Sequence, residues 1–159
     1  FAESSFEEGP DGWEGAETST CGALGAVLGG SARFGASGVL SRAYTGLPAH
    51  SMVRLEAQVV ALDNWEAGDT YMVTVGGVLF GPFGKDDGVA GGDLCGLPED
   101  PVGLPLGVGA DTVNWLRLDV PHTNGNLDVS LQAALDDSAF DEALGVGFVR
   151  VSYGDGACV

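Results

Sequence analysis

Apolar and polar residues alternate with a period of two along most of this chain, and nowhere with the period of about 3.6 that marks an amphipathic helix. The clearest run is Met52 to Leu62, where Val53, Leu55, Ala57, Val59 and Ala61 share one face and Arg54, Glu56 and Gln58 the other. Tyr71 to Val75 and Val78 to Phe80 flank Gly76-Gly77, a two-residue loop suited to the primed turns of a hairpin. Val113 to Val120 and Leu127 to Leu135 alternate again, separated by His122-Thr123-Asn124-Gly125-Asn126, whose Asn-Gly is a turn signal. Val39 to Thr45 and Val146 to Tyr153 complete the set, and Phe1 to Phe6 adds an edge strand or one exchanged with a neighbour. Gln132 to Leu144 carries enough Ala and Leu for a helix, but Asp136-Asp137-Ser138 interrupts it, so strand followed by loop is expected.

Roughly seven or eight strands joined by polar, Gly-rich turns predict an all-β fold, an antiparallel β-sandwich of the jelly-roll kind. Residues 1–159 are expected to form one such domain, with positions 84–111, rich in Pro and Gly, as a long irregular loop.

Composition narrows the function. The chain has 159 residues, 6 of them Lys or Arg and 23 Asp or Glu, for a net charge of −17. That charge repels polyphosphate and anionic lipid, so nucleic acid is not an expected partner. At 45% hydrophobic residues the chain is nonetheless able to build one core. No stretch approaches the ~20 apolar residues of a membrane-spanning helix, so no membrane insertion is expected. Glycine, at 27 residues, suits tight turns between strands. A start at Phe1 rather than Met fits a processed product or an excised module.

Cys21, Cys95 and Cys158 show no close CxxC spacing, which argues against a zinc knuckle or a redox motif. Three reduced thiols in a cytosolic protein are one reading. The other is an intrachain disulfide with a third cysteine paired elsewhere, in an oxidising compartment. The Cys-Gly contexts of Cys21 and Cys95 in glycine-rich loops favour a Cys21–Cys95 bridge. Cys158, the penultimate residue, is then left for an intermolecular partner, together with the apolar Phe1 and Phe6 of the N-terminal segment.

Catalytic signatures are missing: there is no G-x-S-x-G elbow, no H-E-x-x-H and no phosphate-binding glycine loop. His50 and His122 each follow a proline region at a strand mouth and are expected to hydrogen-bond turns, with a catalytic or metal-binding pair as the alternative. Acids gather in three places: around Glu7 and Glu8, from Asp63 to Asp69, and from Asp136 to Glu142. Hard cations take six to eight oxygens from such loops. A Ca²⁺ site is therefore expected around Glu7 and Asp141, helped by Asp63 and Glu142. Trp13, Trp65, Trp115 and Tyr71 are candidates for stacking on a ligand, although core packing is the commoner fate of a sandwich tryptophan.

Three segments carry a family likeness. Phe6-Glu7-Glu8-Gly9 with Trp13 resembles the "FE-x-G … W" opening of secreted jelly-roll modules. Leu62-Asp63-Asn64-Trp65 resembles their "I-D-S-W-D" segment, and Leu135-Asp136 through Val146 resembles their closing "L-D-x … D-E-S-W-G-I-D-N-V". These modules are of the laminin-G-like or concanavalin-like kind and occur in large surface proteins of bacteria and ciliates. The resemblance implies an extracellular sandwich, often calcium-bound, that adheres or recognises glycans, with Glu7, Asp63 and Asp141 as the matching acids. Leu144 replaces the family's tryptophan, and Gly147-Phe148 stand where Asp-Asn is usual. The expected function is thus non-catalytic: an adhesive or structural subunit of a cell-surface appendage or filament, self-assembling or joined to neighbouring surface-protein domains. A carbohydrate-binding module is the alternative, and a jelly-roll glycan-cleaving enzyme a distant third.

Overall fold

Strands form where the period-two pattern is strongest, and the longest of them organise the rest. The computed structural model describes residues 1–95 and 111–156. Among these, the strands are β1 (Ala2–Ser4), β2 (Thr18–Thr20), β3 (Ala26–Gly29), β4 (Val39–Tyr44), β5 (Met52–Asp63), β6 (Thr70–Val75), β7 (Val78–Phe83), β8 (Val89–Gly92), β9 (Asp111–Pro121), β10 (Leu127–Ala134) and β11 (Glu142–Gly154). All pairings are antiparallel. One sheet has seven strands in the order β2-β3-β11-β5-β9-β8, with β1 also on β11; the other has four, β4-β10-β6-β7. The expected antiparallel β-sandwich is the fold found.

The two sheets bury a shared core. Val53, Leu55, Ala57, Val59 and Ala61 of β5 face Tyr71, Val73 and Val75 of β6 and Leu127, Val129, Leu131 and Ala133 of β10 within one cluster. Every one of these positions is on the apolar side of an alternating run, which is why the sequence reads so directly into this layer. The β6–β7 hairpin turns at Gly76 and Gly77, whose φ values of 55° and 84° are the left-handed pair that a primed turn requires.

A second, smaller cluster lies on the opposite face of the seven-stranded sheet. There the even-numbered positions of β5 change from Arg54, Glu56 and Gln58 to Val60 and Leu62, and both valine and leucine are buried with Val27, Ala143 and Cys21. The cover is tied on by the expected Cys21–Cys95 disulfide, which closes a separation of 74 residues with Cα atoms 4.9 Å apart.

Two expectations need correction. Between Gly84 and Asp111 the chain is not one irregular loop: it makes a 3₁₀ turn at Lys85–Asp87 and then β8, which pairs with β9; positions 96–110 lie outside the described residues. The last strand begins at Glu142, not Val146, because Glu142 to Leu144 pair with Asp63 to Ala61. Of the two alternatives for the N-terminal segment, the edge strand is the one seen: Ala2–Ser4 pairs with β11 of the same chain, and Phe6 is buried in the main core. Cys158 lies outside the described residues. No helix of the described residues is long and apolar enough to cross a membrane.

Replacing both Cys21 and Cys95 by Ser should lower stability by about 4 kcal/mol, the loop-entropy value for a closure of this length. Urea denaturation measures it; an unchanged midpoint would show that the bridge does not hold the cover in place.

Candidate functional site

Antiparallel register lines up the outward-facing residues of the seven-stranded sheet in rows across the strands. Trp115, Gln58 and Phe148 form one row, and Arg117, Glu56, Arg150 and Glu3 the next. Asp119, Arg54 and Ser152 form a third. The rows begin where the disulfide-tied cover ends. Trp115 is 62% exposed. Its ring centre lies 6.2 Å from that of Phe148, the planes tilted by 53°. A register shift between Val146 and Phe148 places Gly147 beside Gln58, where a Cβ would collide with the Gln58 amide. Glycine at this bulge therefore lets the amide lie on the sheet next to the two rings.

Ion pairs fix the polar side chains around these aromatics. Arg54 donates from Nε and Nη2 to the two carboxylate oxygens of Asp119, at 2.6 and 2.9 Å. The bond from Arg54, then its charge and that of Arg117, hold Asp119 below the usual carboxylate range. Arg150 donates to Glu3 at 3.0 and 2.7 Å, and its guanidinium sits 5.7 Å from the ring centre of Phe148 and 5.6 Å from that of Phe1. The result is an aromatic pair bordered by planar donors and acceptors held in place. Such a face can stack on a flat ligand while bonding its polar edge.

A second feature lies at one end of the sandwich, where the loops β5–β6 and β10–β11 meet. Asp69, Asp136 and Glu142 offer ligand atoms that all lie within 4.8 Å of one another. Asp69 directly precedes β6, and Asp136 follows β10; the pairing of Thr70 with Ala134 brings these two together. Glu142 comes from the first position of β11 in the other sheet. Asp69 Oδ1 accepts from the Asp136 N–H at 3.3 Å, and Glu142 Oε1 accepts from the Asp137 N–H. Burial and the neighbouring Asp69 and Asp136 carboxyls push Glu142 up to about 8.

The sequence-expected residues are distributed differently. Of Glu7, Asp63, Asp141 and Glu142, only Glu142 belongs to this group. Glu7 lies at the surface and accepts from the Ala26 N–H at 3.3 Å. Asp141 is exposed because the side chain immediately before an inward-pointing strand residue points out. Asp63 sits opposite Glu142 in register, and its backbone is held by Asp111 and by the Lys85 ammonium at 2.6 Å. Among the stacking candidates, Trp13, Trp65 and Tyr71 are core residues at 7%, 8% and 1% exposure. The Trp65 indole donates to the Ala143 carbonyl at 2.8 Å, and the Tyr71 hydroxyl accepts from Asn114 at 2.8 Å. Trp115 alone of the four faces solvent. His50 bonds the Pro48 carbonyl at 2.6 Å, as expected of a turn, and also His122 at 2.7 Å.

Solved structures share the architecture. A family 35 carbohydrate-binding module from Clostridium thermocellum matches with a TM-score of 0.53 at 15% identity, over 97% of this chain and 100% of that one. The C-terminal family 6 carbohydrate-binding module of LamC, a marine laminarinase from Zobellia galactanivorans, matches at 0.50 and 12%, over 95% and 98%. Dimeric latent PorU from Porphyromonas gingivalis matches at 0.50 and 13%, over 89% of this chain and 12% of that one. The jelly-roll fold is shared. At these identities the likeness is one of fold, and these structures are not laminin-G-like modules. No protein-family model matches the sequence, and no curated protein does.

Sequence reasoning missed Asp111, which is 2% exposed. Its Oδ1 accepts from the Asp63 N–H at 2.8 Å, and its Oδ2 from those of Leu94 and Cys95 at 2.7 and 3.2 Å. It ties the disulfide loop to the end of β5. Asp111→Ala leaves three N–H groups without their acceptor, and should cost about 3 kcal/mol of stability in urea denaturation. A loss below about 0.5 kcal/mol, the size of an ordinary surface substitution, would contradict that anchoring role.

Proposed function

We propose that this chain is a non-catalytic extracellular β-sandwich module that adheres by holding a glycan across the outer face of its seven-stranded sheet. The observation that carries the reading is the exposed Trp115, set in a row with Gln58 and Phe148 and bordered by ion-paired arginines. A pyranose ring has an apolar C–H face that stacks on an indole and hydroxyl edges that bond planar amides, carboxylates and guanidinium groups. Sharing a fold with carbohydrate-binding modules supports this choice of ligand.

The clustered acids support binding without cleavage. Glycoside hydrolysis needs two carboxyls about 5–9.5 Å apart on opposite sides of an open groove. The clustered acids here lie closer, and Asp69 and Glu142 are buried. The Cys21–Cys95 disulfide supports an oxidising compartment, hence the cell surface or the medium. The sequence likeness to modules of large surface proteins supports neighbouring domains as further partners.

A glycan array followed by titration calorimetry with the best oligosaccharide tests the proposal. Trp115→Ala should weaken binding at least tenfold, or about 1.4 kcal/mol. Leu79→Ala, exposed on a strand of the other sheet, should leave it unchanged. Absence of any glycan signal, or undiminished binding by the Trp115 variant, would overturn it.

A further inference from the structure

Two acids buried at the same end of the sandwich are treated in opposite ways. Asp111 receives three backbone N–H bonds, spread over both of its oxygens. Glu142, fully buried, receives one, from Asp137 to Oε1, and its Oε2 is buried without any hydrogen-bond partner. A buried carboxylate oxygen with no donor is costly, and such groups are ordinarily paired or bound to a metal. Around Glu142 stand Asp69, also buried, and Asp136, exposed. Among the described residues no Lys, Arg or His forms an ion pair with any of the three.

From this arrangement we infer a Ca²⁺ site formed by Asp69, Asp136 and Glu142. All three donors are hard carboxylate oxygens, the ligand class that Ca²⁺ takes at about 2.3–2.6 Å. Ligand atoms that all lie within 4.8 Å of one another are close enough to share one coordination sphere, in which facing Ca²⁺ ligands stand about 4.6–5.2 Å apart. Mg²⁺ demands a near-ideal octahedron and keeps several of its waters, so it is ordinarily held by only one or two carboxylates. Exposed Asp136 leaves one side of the site open to solvent, where waters complete the shell. A single proton neutralises one of three crowded carboxyls; a divalent cation offsets charge on all three and supplies Glu142 Oε2 with its missing partner.

The ion has a structural consequence. Its ligands come from the start of β11 in one sheet and from residues flanking β6 and β10 in the other. Bound Ca²⁺ therefore pins the two layers together at the end of the sandwich. This site is separate from the Trp115 face and does not depend on glycan binding.

Thermal unfolding of the full chain in EDTA and in millimolar Ca²⁺ tests the inference, with the Ca²⁺-dependent increment in Tm as the readout. The wild type should gain roughly 5 °C or more by mass action. Glu142→Gln and Asp136→Asn should each lose that increment, while Glu7→Gln and Asp141→Asn keep it. Asp136 is exposed, so its variant decides the matter even where Glu142→Gln does not fold. Tb³⁺ gives a direct probe: Trp65 lies in the loop with Asp69 and bonds the residue next to Glu142. Excitation of tryptophan should light bound Tb³⁺, and Ca²⁺ should displace it. An unchanged Tm, an increment that survives in Asp136→Asn, or an equal increment with Mg²⁺ would overturn the assignment.

Discussion

The antiparallel pairing of β5 with β11 is the constraint on which the other features depend. It runs from Met52 opposite Gly154 to Asp63 opposite Glu142, with one bulge. Its inner side supplies Leu55, Val59, Ala61, Leu144, Val149 and Val151 to the main core. Its outer side divides in two. Toward Asp63, Val60, Leu62 and Ala143 are covered by the disulfide-tied segment. Toward Met52, Gln58 and Glu56 are half-buried and aligned with Phe148 and Arg150, and buried Arg54 is aligned with Ser152. The boundary between covered and open halves falls at Gln58 and Phe148, beside Trp115. A one-residue slip would turn every one of these side chains to the opposite face, so register and candidate site are specified together.

Charge shapes the same molecule in a second way. A net charge of −17 works against a compact state, and the chain spends its few cations sparingly. Arg54 and Arg150 are committed to Asp119 and Glu3 on the outer side of the seven-stranded sheet, and Lys85 to the carbonyl of Asp63. None is paired with the acids where the β5–β6 and β10–β11 loops meet. At that end backbone N–H groups satisfy Asp111, and they leave Glu142 with one oxygen to satisfy otherwise.

Much of the fold was legible because burial on one face imposes strict alternation. The core faces of β5 and β10 follow directly from it, and the Cys21–Cys95 bridge follows from two Cys-Gly loops. Strands β2, β3 and β8 were not legible: each has three or four residues, and Val27, Leu28 and Gly29 in β3 are buried in succession, which erases the period. For the candidate site, one signal was present and another was not. Trp115 shares its parity with Arg117 and Asp119, and Phe148 with Arg150 and Ser152, so both aromatics stand on polar faces of their strands. Trp65, closing β5, has no such context. The grouping of Asp69 and Asp136 with Glu142 arises from the pairing of Thr70 with Ala134 and from the packing of two sheets. Separations of 67 and 6 residues contain no trace of it, and an alternating rule about strand ends places Glu142 rather than Asp141 inside.

The central claim is that a glycan is held on the Trp115 face. Three tryptophans give three indole N–H signals in a proton–nitrogen correlation spectrum, and two of these residues are buried, which makes them internal references. Titration with the oligosaccharide selected on an array should shift the Trp115 indole and the backbone amides of Gln58 and Phe148, and leave the Trp13 and Trp65 indoles in place. Shifts confined to other surfaces, with the Trp115 indole unmoved at saturation, would contradict the account.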